Sequence, residues 1–255
     1  MHIIIDSHCH IDFADFDADR SEVIQRAQQA GVNKIIVPGV QHTYWERVRD
    51  CCDAYPALYP CYGLHPYFIA EHSRNDIQAL QSYIEQHQPV AIGECGLDFF
   101  LKDLDRAQQQ FYFTQQLDIA LQTDLPVVIH ARKSTEAVID AIKQRPGLRG
   151  MIHSYAGSYE QAVKLIDMGF YLSFGGPLTF EQATRLRKLV SQLPLDCILV
   201  ETDAPDQPGQ MANRQRNEPA FIVEVVAQIA QLHNTDSAHV ADATTNNANT
   251  LFQLV

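Results

Sequence analysis

Eight short runs of β-branched and apolar residues recur along the chain at intervals of roughly thirty residues, the length of one strand–helix unit. That rhythm limits the fold more than any other feature of the sequence. The runs occupy residues 3–5, 34–38, 58–63, 89–94, 126–130, 150–153, 170–174 and 197–203. They are apolar without alternation, as strands of a parallel sheet covered on both faces are. Stretches of helical spacing follow them at 20–30, 43–54, 74–87, 103–123, 135–143, 159–168, 180–192 and 219–233, with shorter helices up to Leu251. In the longest, Leu104, Ala107, Phe111, Leu117 and Leu121 are expected to face the sheet. A loop rich in Pro, Gly, Gln and Asn spans 204–217.

Such alternation folds either as an open doubly wound sheet or as a closed barrel. An open sheet would carry a glycine-rich phosphate loop after an early strand, and the sequence has none. We therefore expect one TIM-type (β/α)8 barrel, a single α/β domain over residues 1–255, a common size for that fold. The 46% of hydrophobic residues suffices for a large core.

Barrels of this kind collect their chemistry at the C-terminal ends of the strands. The residues expected there are His8 and His10, Glu94, His130, His153 and Asp203. His8 and His10 are two apart in an extended segment, so their rings share a face while Cys9 turns away. Taken alone, they could equally be a hydrogen-bonded pair at the start of a loop. Six such residues around one barrel mouth, however, point to a metal centre. Four imidazoles and two carboxylates exceed what one tetrahedral ion takes up, and they match a pair of divalent ions, Zn, Mn or Mg. The carboxylate of Glu94 can bridge such a pair with its two oxygens. The other seven histidines (His2, His42, His65, His72, His87, His233 and His239) fall mostly in expected helices or loops and read as surface residues, although His65 also stands where it could reach the mouth.

Charge and cysteine usage narrow the function. Nineteen Lys and Arg against 31 Asp and Glu give a net charge of −12, which does not suit a protein that coats nucleic acid with a basic surface. The six cysteines form no C-x-x-C pair and read as reduced, mostly structural thiols. The N-terminus carries no signal-peptide pattern and no segment is apolar enough to span a membrane, so a cytoplasmic protein without an obligate protein partner is expected.

Seven stretches, in order from end to end, carry a family resemblance: Asp6-Ser7-His8-Cys9-His10, Gly63-Leu64-His65-Pro66, Gly93-Glu94-Cys95-Gly96-Leu97-Asp98, residues 125–132 ending in His130-Ala131-Arg132, His153-Ser154-Tyr155-Ala156-Gly157, Glu201-Thr202-Asp203-Ala204-Pro205 and Arg216-Asn217-Glu218-Pro219. With these the chain resembles the TatD-type metal-dependent hydrolases of the amidohydrolase superfamily. The resemblance implies metal ligation by His8, His10, Glu94, His130, His153 and Asp203. It also implies that Glu94 bridges, where many superfamily relatives use a carboxylated lysine. The chain departs from the family at Ser154 and Tyr155, where members often carry Cys and Phe, and in the loop 206–215.

The activity so implied is phosphodiester hydrolysis by metal-activated water, with a DNA end or a short single strand as substrate. Asp203 is the expected proton acceptor and, with Glu94, the catalytic pair. Arg132, two residues beyond His130, and His65 are the expected substrate contacts; a surface salt bridge and a structural turn are their alternatives. Glu201 is expected to hold a metal-bound imidazole, whereas Asp98 and Glu218 match the family without a physical assignment. The same metals could instead hydrolyse a carboxylic ester, amide or lactone. A metal-binding protein without catalysis is the remaining class.

Overall fold

In the computed structural model, which describes residues 2–212 and 215–254, eight parallel strands pair in the order β1 to β8. They are β1 Ile4–Asp6, β2 Val32–Pro38, β3 Leu58–Tyr62, β4 Ala91–Asp98, β5 Val127–Arg132, β6 Gly150–Ile152, β7 Phe170–Phe174 and β8 Ile198–Val200. The ends of the expected domain, residues 1 and 255, and residues 213 and 214 of the expected 206–215 loop lie outside the described residues. The helices between strands are α1 Arg20–Gln29, α2 Trp45–Ala54, α3 Asn75–His87, α4 Arg106–Thr123, α5 Thr135–Lys143, α6 Tyr159–Asp167 and α7 Thr184–Val190; α8 Ile222–Leu232 and α9 Ser237–Phe252 follow β8. No helix among the described residues is long and apolar enough to cross a membrane.

The barrel closes between β8 and β1, where the Ser7 N–H donates to the Val200 carbonyl at 3.0 Å. The buried Asp6 side chain reinforces that seam, accepting from the Thr202 N–H (3.0 Å), the Thr202 hydroxyl (2.5 Å) and the His8 N–H (3.2 Å). One apolar residue from each of seven strands (Ile5, Ile36, Cys61, Ala91, Val128, Met151 and Leu199) packs with Ala248, Leu251 and Phe252 of α9. These side chains fill the barrel, and α9 stops its lower end. A larger cluster joins the outer strand faces to the helices. All six cysteines are buried free thiols within these cores.

Several expected elements differ: β8 stops at Val200 rather than at residue 203, and the single 16-residue helix α9 stands where shorter helices up to Leu251 were expected. β4 does not stop at Glu94 but pairs with β5 as far as Asp98 opposite Arg132. The stretch 180–192 is helical only over α7, because a 3₁₀ turn at Gly176–Thr179 and the residues after it take up the approach. On α4 the buried residues are Gln109, Tyr112, Phe113, Gln116, Leu117, Ile119 and Ala120, while Ala107 and Leu121 are exposed. The two buried glutamines explain the rotation. Gln116 pairs with both backbone groups of Leu64, and Gln109 with both of Asp98. Each satisfies a buried strand-end amide and carbonyl that would otherwise be costly to bury, and together they fix the loops after β3 and β4.

Candidate metal centre

The strand ends bring the six expected ligands to one place. Glu94, 3% exposed, lies at its centre and its two oxygens face different partners. Oε2 is 3.3 Å from His8 Nε2 and 3.5 Å from His10 Nε2. Oε1 is 3.0 Å from His65 Nε2, 3.1 Å from His153 Nε2 and 3.2 Å from His130 Nδ1. The Nε2 atoms of His8 and His10 are 3.2 Å apart, and Asp203 Oδ1 lies 3.2 Å from the first and 3.6 Å from the second. His130 Nδ1 and His153 Nε2 are likewise 3.2 Å apart.

The local backbone explains this convergence. Leaving β1, the chain runs extended, so Cys9 turns its thiol to the Ala204 carbonyl while both imidazoles stay on the inner face. The Asp203 N–H donates to the His8 carbonyl at 2.8 Å, which places the two ligand-bearing ends side by side. Glu94 stands near Gly96, whose φ of +144° suits glycine and where a Cβ would collide with the His130 carbonyl. That absence of a side chain lets β4 press against β5 and brings Glu94 to His130.

Four bonds of 2.0–2.1 Å in a tetrahedron put neighbouring ligand atoms about 3.4 Å apart. The spacing of the donor atoms here, 3.1–3.6 Å, is close to that edge. Three nitrogens crowd one oxygen of Glu94, more than its two lone pairs satisfy. Two ligand sets each contain Glu94: one with His8 and His10, the other with His65 and His130. The residues present therefore fit a metal centre.

The electrostatics agree. Burial alone would raise the Glu94 carboxyl, but His65, His153 and His8 hold it well below the carboxylate range. Burial also opposes a charge on His153, yet Glu94 and then Glu201 hold that ring well above the ordinary imidazole range. Burial and His153 disfavour the charged form of His8, but Glu94 and Asp203 overcome them and carry it to about 9. Such a cluster calls for positive charge, which protons or cations can supply in competition.

His65 was grouped by sequence with surface histidines as well as with the mouth; it is buried, at the mouth. Its Nδ1 accepts the Tyr67 N–H at 3.0 Å, so the ring proton sits on Nε2 and points at Glu94 Oε1. Burial pushes its pKa down to about 4, so the ring is neutral at neutral pH. Arg132 is half exposed at the rim, 3.9 Å from Asp98 Oδ2 and stacked over Phe100.

Among the surrounding carboxylates, Asp98 and Glu218 acquire roles that the sequence left open. Asp98 Oδ2 is 3.2 Å from His130 Nε2, so it holds the ring with Nδ1 toward Glu94. Glu201 Oε1 accepts the Ser154 N–H at 2.7 Å and lies 3.5 Å from His153 Nδ1. Glu218 is remote from the cluster and ties the loop after β8 to α1 by taking both Nε and Nη2 of Arg26. Gln207 was not anticipated. Its amide donates to Asp203 Oδ2 at 2.6 Å and accepts from the Ser154 hydroxyl at 2.7 Å.

Because Asp98 fixes the orientation of His130, Asp98→Asn should weaken metal affinity or turnover by about 10–100-fold, the usual cost of losing such a partner. Metal titration of the stripped variant tests this; an affinity equal to wild type would remove Asp98 from the centre.

Comparison with known proteins places this geometry. The sequence model of the family described as TatD related DNase matches residues 5–253. The chain is 37% identical over 253 residues to the uncharacterized metal-dependent hydrolase YjjV of Escherichia coli, covering 98% of each. It is 34% identical over 247 residues to the 3'-5' ssDNA/RNA exonuclease TatD of Erwinia tasmaniensis, covering 94% of this chain and 95% of the relative. The crystal structure of YjjV superposes with a TM-score of 0.94 at 36% identity, over 99% of this chain and 98% of that one.

Proposed function

The chain belongs to the TatD-related DNase family, and from that membership we propose that it is a dinuclear metal-dependent hydrolase of phosphodiesters, acting on DNA at an end or in a short single strand. The observation that carries the two-ion reading is the division of Glu94, one oxygen toward His8 and His10 and the other toward His130 and His153. Two divalent ions held there would lower the pKa of a bound water and offset charge on the phosphoryl oxygens.

The protein's own groups do the rest. His8, His10 and Asp203 would hold one ion and His130 and His153 the other, with Glu94 available to both. Asp203 is the second carboxylate at the cluster. It takes the proton from the attacking water and returns it to the leaving oxygen. His65, at the mouth with its Nε2 3.0 Å from Glu94 Oε1, is the proposed substrate contact on that side. Arg132 offers a planar guanidinium to a phosphate at the rim.

The test combines elemental analysis with turnover panels of phosphodiesters and of carboxylic esters, amides and lactones under saturating Mn²⁺, Mg²⁺ or Zn²⁺. Phosphodiester turnover with two ions per chain is expected. Turnover confined to the carboxylic panel would assign the other hydrolase reading, and inertness toward both would leave a binding protein. One tightly held ion in fully active protein would sink the dinuclear reading.

A further inference from the structure

Four Phe, Tyr or Trp side chains are exposed among the described residues: Tyr44 (40%), Tyr67 (60%), Phe100 (51%) and Tyr159 (42%). All four lie on the face that bears the metal centre. Tyr44 follows β2, Tyr67 follows β3, Phe100 follows β4, and Tyr159 opens α6 after β6. The exposed Met211, after β8, shares that face, whereas Ile3 and Leu121 at the opposite end are aliphatic. Scattered exposed apolar residues need no explanation, but this segregation by face and by ring does.

Two of the four are held against the cluster. Tyr67 stands two residues beyond His65, and its N–H is the donor to His65 Nδ1. Phe100 stands two residues beyond Asp98, and its N–H donates to Asp98 Oδ1 at 2.9 Å. β3 and β4 are neighbours, so the two loops adjoin, and the buried Gln116 and Gln109 brace them from below. The backbone at each ring is thus fixed while the ring remains in solvent. Arg132 covers part of Phe100, its guanidinium 3.9 Å from the ring centroid, and leaves half of that residue exposed.

We propose that Tyr67 and Phe100 form a stacking subsite for the bases of a single-stranded nucleic acid whose phosphodiester lies at the metal centre. The proposal rests on the phosphodiesterase reading above. A base presents a flat π-face to an aromatic ring only when it is free of a duplex stack. A chain of net charge −12 gains little from a long basic groove, so stacking supplies affinity that phosphate contacts elsewhere provide. Arg132, between Phe100 and Asp98, is positioned for the phosphate that links such a base to the centre.

The experiment compares kcat/KM of the metal-loaded protein on a short single strand and on bis(4-nitrophenyl) phosphate, which has no base to reach the rim. Tyr67→Ala and Phe100→Ala should each lower kcat/KM on the strand roughly 5- to 100-fold further than on the small diester, mainly through KM. Tyr67→Trp and Phe100→Tyr should restore it. An equal loss on both substrates, or no loss on the strand, overturns the subsite. Quenching of a 2-aminopurine base in the strand, read by stopped flow before turnover, separates this proposal from the reading beneath it. Protein that cleaves no phosphodiester but quenches 2-aminopurine in a Tyr67- and Phe100-dependent way refutes the nuclease reading and keeps the subsite. Wild-type protein without such quenching overturns the subsite.

Discussion

Glu94→Gln should lower turnover by about 10³-fold or more, because it removes the side chain whose two oxygens face both imidazole sets and, in the dinuclear reading, several kcal/mol of transition-state stabilisation. An amide has one acceptor oxygen and one NH₂ group. Turned either way, it presents donors to one imidazole set, at positions where Oε1 and Oε2 now lie 3.0–3.5 Å from ring nitrogens. Occupancy of both ions should fall, with the half that meets the NH₂ losing more. The fold should survive, since the side chain is nearly isosteric and the barrel seam depends on Asp6, Ser7, Thr202 and Val200 rather than on Glu94. Elemental analysis, turnover at saturating metal and thermal unfolding of one preparation test all three statements. A variant that keeps both ions and most of its activity would show that Glu94 does not bridge.

How far the sequence could be read depended on whether a residue's role matched its usual chemistry. The barrel was legible because the strands are covered on both faces and so stand out as unbroken apolar runs, although β1, β6 and β8 have only three residues each. The convergence of His8, His10, Glu94, His130, His153 and Asp203 was legible because a titratable residue at the end of an apolar strand is conspicuous. Gln109 and Gln116 were not, since a glutamine on a long helix reads as solvent-facing and nothing local reveals that it satisfies a strand end 11 or 52 residues away. Placing Leu121 on the buried face of α4 was the direct consequence. Asp98 was obscure for a related reason. The strand carrying Glu94 continues four residues beyond it, and only the pairing of β4 with β5 brings Asp98 to His130.

Gln207 shows the same limit at the centre itself. Its contacts reach Asp203, four residues back, and Ser154, 53 residues back, in a loop whose sequence reads only as polar and irregular. Ser154 and Gln207 both fall where the chain departs from the pattern of the family it resembles. A hydrogen-bonded path runs from Ser154 through Gln207 to Asp203, and it bears on what a substitution at Asp203 can do.

Asp203→Asn should lower turnover by roughly 10²–10⁴-fold, the range for losing a general base, while KM changes little. Asp203 closes the seam after β8 with φ of +55°, a conformation that Asn tolerates as well as Asp. Its Oδ1 faces His8 and His10, and its Oδ2 takes the Gln207 amide. In the variant, an oxygen kept toward Gln207 turns the NH₂ toward the two histidines. An oxygen kept toward the histidines opposes two amide donors. Either arrangement removes the charge that can accept a proton, and the first also weakens the ion held by His8 and His10. In the dinuclear reading, an ion held by His130, His153 and Glu94 should remain. Metal titrated to saturation separates the two effects, because restored occupancy without restored turnover isolates proton transfer. Near wild-type turnover at full occupancy would remove Asp203 from that step. A rise in KM with turnover unchanged would recast it as a substrate-binding residue.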